Sequence, residues 1–164
     1  RVGEVPKISG ANKNTRLSGA CFDAAMGKIP HMMVYGTDWP TKDGTTVRDY
    51  IHVTDLIDAH VRTLDSLMSE PYDHSKLGNP QIYNVGTGKG NSVREFLHAV
   101  MNVTGKKFKV INKPRRPGDY AKIFADPAKI KQKLGFVAKY TNLEESLRTA
   151  WRWRQAHPNG YPSP

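Results

Sequence analysis

Apolar residues recur along the 164-residue chain at two spacings, every third or fourth position in some segments and every second position in others. The first spacing is typical of amphipathic helices and the second of strands with one buried face. Helices are predicted over residues 17–27, 54–69, 92–102, 127–134 and 142–156. Strands are predicted over residues 31–36, 47–53, 81–85 and 107–112, and loops over 1–15 and 70–80. This order of elements predicts an α/β or α+β fold in one domain rather than an all-helical one.

Short polar side chains and glycine set the predicted helix boundaries. Ser92 and Glu95 form a capping box at the start of one helix, and Gly105 ends that helix. Either Thr54 or Asp55 caps the predicted helix over residues 54–69. The apolar face of this helix, residues 54–69, is formed by Ile57, Val61, Leu64 and Met68.

The predicted strand 47–53 has one polar face. Alternation along a strand places Arg48, Tyr50 and His52 on one side. The other side then holds Val47, Asp49, Ile51 and Val53. A face with Arg, Tyr and His is typical of a recognition surface, although an exposed edge strand has the same pattern.

Residues 113–120 form a predicted loop, because two prolines and a glycine prevent continuous helix or sheet. The loop presents Arg115 and Arg116 beside Asp119. A guanidinium matches two phosphate oxygens at once, and a diphosphate accommodates two guanidiniums. A solvated basic turn is the alternative, and the second Arg-containing segment at 47–53 favours one anionic ligand shared by both.

The segment Gly86–Asn91 follows a predicted strand and precedes a helix, as a dinucleotide-binding loop does. It departs from that fingerprint because Asn91 stands where the third glycine belongs. The next strand, with its continuation to Lys113, also lacks the acidic residue that binds a ribose. The sequence therefore predicts a loop that lines a ligand site without binding NAD.

Charge and cysteine content narrow the function classes. Lys and Arg outnumber Asp and Glu by 25 to 15, which favours an anionic partner, although the lysines are scattered rather than clustered. The single cysteine, Cys21, excludes an internal disulfide and is predicted to fill the core. No metal-spaced histidines, catalytic triad or carboxylate pair is recognisable, so the residues alone indicate a module that binds an anion.

Five stretches together resemble the C-terminal part of the UDP-sugar 4-epimerases, a family of extended short-chain dehydrogenase/reductases. They cover residues 17–25, 43–56, 83–93, 114–119 and 151–153. The Gly-Ala-Cys-Phe-Asp-Ala-Ala stretch and the Trp-Arg-Trp ending are most similar to plant UDP-arabinose (UDP-xylose) 4-epimerases, with UDP-glucose 4-epimerases close behind.

The resemblance implies an isomerase that inverts C4 of a UDP-sugar through a 4-keto intermediate, with NAD as cofactor. The Tyr-x-x-x-Lys pair that performs the acid–base work in this family is expected in the N-terminal part, so no catalytic residue is assigned to this chain. Residues 1–164 then correspond to the UDP-sugar-binding α/β part, and the NAD-binding βαβ units of the Rossmann domain belong to an N-terminal part. Full-length members are often homodimers and occur in the cytosol or the Golgi. This segment alone is expected to be inactive, without nucleic-acid or membrane contacts.

The resemblance also assigns substrate-binding roles residue by residue. Arg48 and Arg116 resemble the family's diphosphate-binding arginines, and Asp119 resembles the carboxylate that binds the uridine ribose. Arg115 is expected to face outward.

The remaining assigned positions concern the base and the sugar. Met33 and Tyr35 match the segment that flanks the uracil, Val93 lines the same pocket, and Tyr50 matches a substrate-side aromatic. Ile123 replaces a tyrosine that crowds the sugar pocket of bacterial hexose enzymes, which leaves the sugar specificity open.

Two further hypotheses remain at this stage. A basic module for nucleic acid would lose affinity by orders of magnitude between about 50 and 200 mM salt, and UDP would not compete with it. A remnant without a ligand would be poorly soluble, because the apolar faces of helices 17–25 and 57–68 would lie uncovered.

Overall fold

The computed structural model describes residues 16–69 and 81–160, so the loops predicted for 1–15 and 70–80 lie outside the described residues. Five helices occur where the sequence predicts them, and the α/β class is confirmed. The elements in chain order are α1 (Leu17–Ala25), β1 (Met32–Tyr35), β2 (Val47–Arg48), α2 (Val53–Ser69), β3 (Asn91–Ser92), α3 (Val93–Thr104), β4 (Val110–Lys113), β5 (Lys122–Ile123), α4 (Ala128–Leu134) and α5 (Leu143–Ala156).

The described strands form two small sheets that bring distant loops to one edge. β1 and β4 pair in parallel, from Met32 opposite Val110 to Tyr35 opposite Lys113. The three-stranded sheet has the order β3-β2-β5, with β2 antiparallel to β3 and parallel to β5. Since parallel strands end at the same edge, the turn after β1 and the loop after β4 leave the sheet side by side.

Two strand predictions are wrong. The strand predicted over 47–53 pairs only at Val47 and Arg48. Its ladder ends there because the Asp49 carboxylate accepts hydrogen bonds from the backbone amides of Thr87 and Gly88. The strand predicted over 81–85 pairs with no strand among residues 16–69 and 81–160.

The predicted caps of α3 are confirmed, and α5 has a further cap. The Ser92 hydroxyl accepts from the Glu95 amide at 3.0 Å, and the Glu95 carboxylate accepts from the Ser92 amide at 2.8 Å, which completes the predicted capping box. Gly105 then ends α3 with a φ of 65°. At α5 the Asn142 side chain accepts from the amide of Glu145.

The start of α2 differs from the prediction, because neither Thr54 nor Asp55 caps it. The helix begins at Val53, and His52 Nδ1 accepts from the Thr54 amide at 3.2 Å. Asp55 is buried and accepts instead from the backbone amides of Lys139 and Tyr140. A carboxylate near a helix start was thus read as a local cap, although it serves a tertiary contact.

The larger core lies between α1, α3, α5 and β1. It contains Cys21, Phe22, Ala24, Met32, Val34, Phe96, Leu97, Ala99, Val100 and Leu147. An ion pair between Asp23 and Arg154, with 2.5 Å between Oδ1 and Nη2, also joins α1 to α5. The expectation that the face of helix 17–25 would lie uncovered is therefore wrong.

The apolar face of α2 lies uncovered among the described residues, as expected. A smaller core of Ala59, Ile130 and Phe136 buries one side of α2. The apolar stripe on its opposite side is exposed, with Ile57 at 55%, Val61 at 50%, Leu64 at 57% and Met68 at 78%. Among the described residues, α2 thus has packing partners on one side only, and no described helix is long and apolar enough to cross a membrane.

Asp43 ties the turn after β1 to the start of α3. Its carboxylate accepts from the amide and hydroxyl of Thr45 at 2.9 and 2.7 Å, and from the hydroxyl of Ser92. Desolvation raises the pKa of Asp43, but the hydrogen bonds from Ser92 and Thr45 and the charge of Arg94 outweigh it, so the pKa lies below its ordinary 3.8.

Cys21 provides a first test of the core. Burial raises the pKa of its thiol to about 12, so the native protein holds almost no thiolate at pH 8. We expect iodoacetamide to alkylate Cys21 at least about a hundredfold more slowly in the native chain than in guanidinium chloride. Equal rates measured by mass spectrometry would contradict the burial of Cys21 in this core.

The Asp43 network gives stability a defined pH dependence. Because its pKa is lower in the folded chain, the carboxylate stabilises the fold fully above about pH 4, and this stabilisation is lost as pH falls through the folded-state value. Asp43→Asn should cost about 1 kcal/mol at pH 6, after allowance for solvent screening, and clearly less at pH 3. Urea denaturation of both variants at the two pH values measures the difference, and a cost independent of pH would exclude the ionised carboxylate as its source.

Candidate nucleotide-sugar site

A cavity of about 210 Å³ lies beside the carboxyl ends of β1 and β2. Its lining residues are Leu17, Met33, Val34, Tyr35, Thr46, Arg48, Tyr50, Val93, Arg116 and Asp119. The structure therefore brings together all seven residues to which the family resemblance assigns a substrate-binding role. Leu17, Val34 and Thr46 complete the lining and were not predicted, since apolar or hydroxyl residues carry no signal of a site.

Asp119 lies between two guanidiniums in this cavity. Arg116 Nε is 3.2 Å from one carboxylate oxygen, and Arg48 Nη2 is 3.8 Å from the other. The three groups together leave one net positive charge, and the Arg116 side chain is 60% exposed. Such an arrangement suits an anion with several oxygens.

A tight turn holds Arg116 and Asp119 together. The Asp119 amide donates to the Arg116 carbonyl at 3.3 Å, which closes a four-residue turn. Pro117 occupies its second position and Gly118, with a φ of 85°, its third, as a type II turn requires. The predicted loop is confirmed, and its proline and glycine create the contact between Arg116 and Asp119.

Arg48 reaches the same carboxylate from β2. Its Nη1 donates to the carbonyls of Val47 and Tyr120, both at 2.8 Å. The β2–β5 ladder places Arg48 opposite Ile123, which is half exposed and lies outside the set of cavity-lining residues. The pairing of β2 with β5 therefore fixes the backbone position of Arg48.

Aromatic side chains form the apolar part of the cavity. The Arg116 guanidinium lies 4.6 Å from the centre of the Tyr35 ring, and the Tyr35 hydroxyl contacts the Met33 sulfur at 3.6 Å. The Tyr50 ring packs 4.5 Å from that of Phe96, and its buried hydroxyl has no hydrogen-bond partner among the described residues. Burial raises the pKa of Tyr50 to about 12 despite the nearby Arg48, so its O–H remains a neutral donor.

His52 departs from its predicted face. Its Nε2 lies 2.9 Å from the Thr149 hydroxyl, and its ring packs against that of Tyr140 in a tilted arrangement, with 4.5 Å between the ring centres. Since Nδ1 accepts from the Thr54 amide, Nε2 donates to Thr149. His52 therefore joins the start of α2 to α5, and of the predicted polar face only Arg48 and Tyr50 line the cavity.

The glycine loop 86–91 is closed by Asp49 rather than by a ligand. The Thr87 amide and hydroxyl and the Gly88 amide all donate to the Asp49 carboxylate. A Cβ at Gly86 would lie 2.4 Å from Asp49, and one at Gly90 would lie 2.3 Å from Val47. These glycines therefore allow close packing against β2.

Two consequences follow for ligands. Among the described residues that line the cavity none belongs to 86–91, so the loop does not line this cavity. The same geometry disfavours NAD here, because the amides that would bind its pyrophosphate are engaged by Asp49. The described residues thus offer this cofactor no cradle in the glycine loop.

Arg115 turns away from the cavity, as expected. Its Nε donates to the Asp38 carboxylate at 2.8 Å, its Nη2 donates to the Asp38 carbonyl, and its guanidinium lies 4.0 Å from the Trp39 ring centre. These partners could not be predicted, because a separation of 77 residues leaves no local pattern in the sequence.

Comparisons with known proteins identify the family of the chain. The family model for GDP-mannose 4,6 dehydratase matches residues 12–149. The chain belongs to this family. A probable UDP-arabinose 4-epimerase 3 from Arabidopsis thaliana is 55% identical over 163 residues, which are 99% of this chain and 38% of that protein. The UDP-glucose 4-epimerase of Bacillus subtilis (strain 168) is 44% identical over 99% of this chain and 44% of its own length.

A solved structure extends the similarity to the fold. The UDP-glucose-4-epimerase from Stenotrophomonas maltophila, with bound NAD and formylated UDP-arabinopyranose, matches with a TM-score of 0.79 and 36% identity. The match covers 91% of this chain and 42% of that one. The resemblance to UDP-sugar 4-epimerases, nearer to the plant UDP-arabinose enzymes, is thus confirmed, and the chain spans about two-fifths of such relatives.

Proposed function

We propose that this chain is the UDP-sugar-binding part of an NAD-dependent UDP-sugar 4-epimerase of the UDP-arabinose type. The observation that carries the proposal is the convergence of Arg48, Arg116 and Asp119 in one cavity, although they come from distant segments. An anion site beside an aromatic surface matches the two halves of a nucleoside diphosphate.

The diphosphate would lie between Arg48 and Arg116. It carries more negative charge than the Asp119 carboxylate and offers more oxygens, so it can replace Asp119 as the partner of both guanidiniums. Asp119 would then accept hydrogen bonds from the ribose hydroxyls. The contacts of Asp119 with both guanidiniums hold the two arginines near the positions that the ligand would require.

The uridine and the sugar would use the less polar surfaces. Met33 and Tyr35 would flank the uracil, with Val93 beside it. The unpartnered Tyr50 hydroxyl supports a contact to a ligand oxygen, because a buried donor without an acceptor is costly.

The redox step would belong to the part of the enzyme that this chain does not span, and the chain alone would not epimerise UDP-sugars. Three observations support this organisation: the exposed stripe of α2, the unpaired segment 81–85, and coverage of only 38% of a close relative. A sheet supplied by the remaining part would cover α2 and pair with 81–85. The Stenotrophomonas enzyme, solved with NAD, supports the same cofactor for the complete protein.

The diphosphate assignment is tested with Arg116→Ala. A charge-assisted hydrogen bond to phosphate contributes roughly 1.5–3 kcal/mol, so we expect UDP to bind about ten- to a hundredfold more weakly in calorimetry. Arg152→Ala is the matched control, because it removes the same charge from an exposed position of α5 outside the cavity. An unchanged dissociation constant in Arg116→Ala would refute the assignment.

The domain organisation is tested by mixing this chain with the part of the Arabidopsis relative that lies outside the match. We expect a complex in gel filtration and slower hydrogen exchange over residues 53–69, because the partner covers the exposed stripe of α2. Leu64→Glu should abolish both effects by placing a charge in the contact.

Gln155→Glu is the control for this second test, since it adds the same charge at an exposed position of α5. Protection that persists in Leu64→Glu, or the failure of the unaltered chain to associate, would contradict the proposed contact while leaving the UDP assignment intact.

A further inference from the structure

We propose that Arg115 is a positioning residue, which holds the loop after β4 so that Arg116 faces the diphosphate. This inference rests on the proposed function and adds a role for a residue that lies outside the cavity lining. The two neighbouring arginines then have different tasks, one as ligand contact and one as anchor.

The anchor consists of three contacts with the turn after β1. The Arg115 guanidinium donates to both the carboxylate and the backbone carbonyl of Asp38, and it stacks on the Trp39 ring. These contacts fix the orientation of the guanidinium plane as well as its position. Gly36 permits the approach, since a Cβ there would lie 2.3 Å from Trp39 and 2.8 Å from Arg115.

The turn that receives Arg115 is itself held in place. The Trp39 amide donates to the Gly44 carbonyl at 3.0 Å, and Gly44 has a φ of 78°. Asp43 in the same turn accepts from Thr45 and from Ser92 at the start of α3. Arg115 is therefore bound to a turn that is connected to the core.

Because Arg115 and Arg116 are adjacent, fixing Arg115 also limits the positions that the Arg116 side chain can take. The β1–β4 ladder continues to a hydrogen bond from the Gly36 amide to the Lys113 carbonyl at 2.8 Å, so both segments leave the sheet together. Successive side chains of an extended segment point to opposite sides. With Arg115 on Asp38 and Trp39, Arg116 lies over Tyr35 and beside Asp119.

The test distinguishes a positioning role of Arg115 from a direct effect of its charge and from a general loss of structure. Arg115→Ala should weaken UDP binding about three- to tenfold, in keeping with the loss of one exposed ion pair and one cation–π contact. Arg115→Lys keeps the charge but loses the two-bond fork, and it should reproduce at least half of that loss on a logarithmic scale. Uridine, which lacks the phosphates, should bind with unchanged affinity to both variants, as measured by NMR titration.

A double-mutant cycle then asks whether Arg115 acts through Arg116. In the Arg116→Ala background, Arg115→Ala should have almost no further effect on UDP affinity. Full additivity, a Lys variant that binds like the unaltered chain, or an equal loss for UDP and uridine would each overturn the inference. If Arg116→Ala weakens UDP binding and Arg115→Ala does not, only this inference fails. If Arg116→Ala itself has no effect, the proposed function fails.

Discussion

The contact of two guanidiniums with the Asp119 carboxylate is the interaction on which the cavity depends. Arg48 and Arg116 are separated by 68 positions, and the carboxylate between them offsets the repulsion of their like charges. Three features create the contact: the β2–β5 ladder places Arg48, the Pro117–Gly118 turn places Arg116 beside Asp119, and the β1–β4 ladder brings this turn to the aromatic surface.

The helices were more predictable from the sequence than the strands, two of which were wrongly predicted, for a physical reason. A helix cap such as Ser92 with Glu95 is a contact over three residues, so the sequence contains all of its partners. The pairing of β2 with two distant strands depends on tertiary contacts, and the described pairings of this sheet extend over only two residues each. Asp49 and Asp55 illustrate the same limit, because both carboxylates bind backbone amides far along the chain.

The candidate site was predictable through family resemblance and only partly through the residues themselves. Charge and loop chemistry indicated an anion near Arg48 and Arg116, but no spacing rule connects Met33 or Val93 with them. The glycine loop is the opposite case, in which a sequence pattern typical of ligand binding corresponds to a contact within the protein. Its pattern suggested a ligand, whereas its amides meet the side chain of Asp49, which stands next to the predicted anion-binding Arg48.

Contact distances distinguish the two adjacent arginines of the loop after β4. Charge-assisted N–H···O bonds are strongest at about 2.7–2.9 Å, and Arg115 meets Asp38 at 2.8 Å while also using the Asp38 carbonyl and the Trp39 ring. The Asp119 carboxylate is shared, at 3.2 Å from Arg116 and 3.8 Å from Arg48, so neither pair reaches the optimum. A diphosphate can improve on the shared contact because it offers each guanidinium its own oxygens. It has little to gain at Arg115, whose donors already have well-placed acceptors, and the adjacent arginine is therefore the one that we propose as the ligand contact.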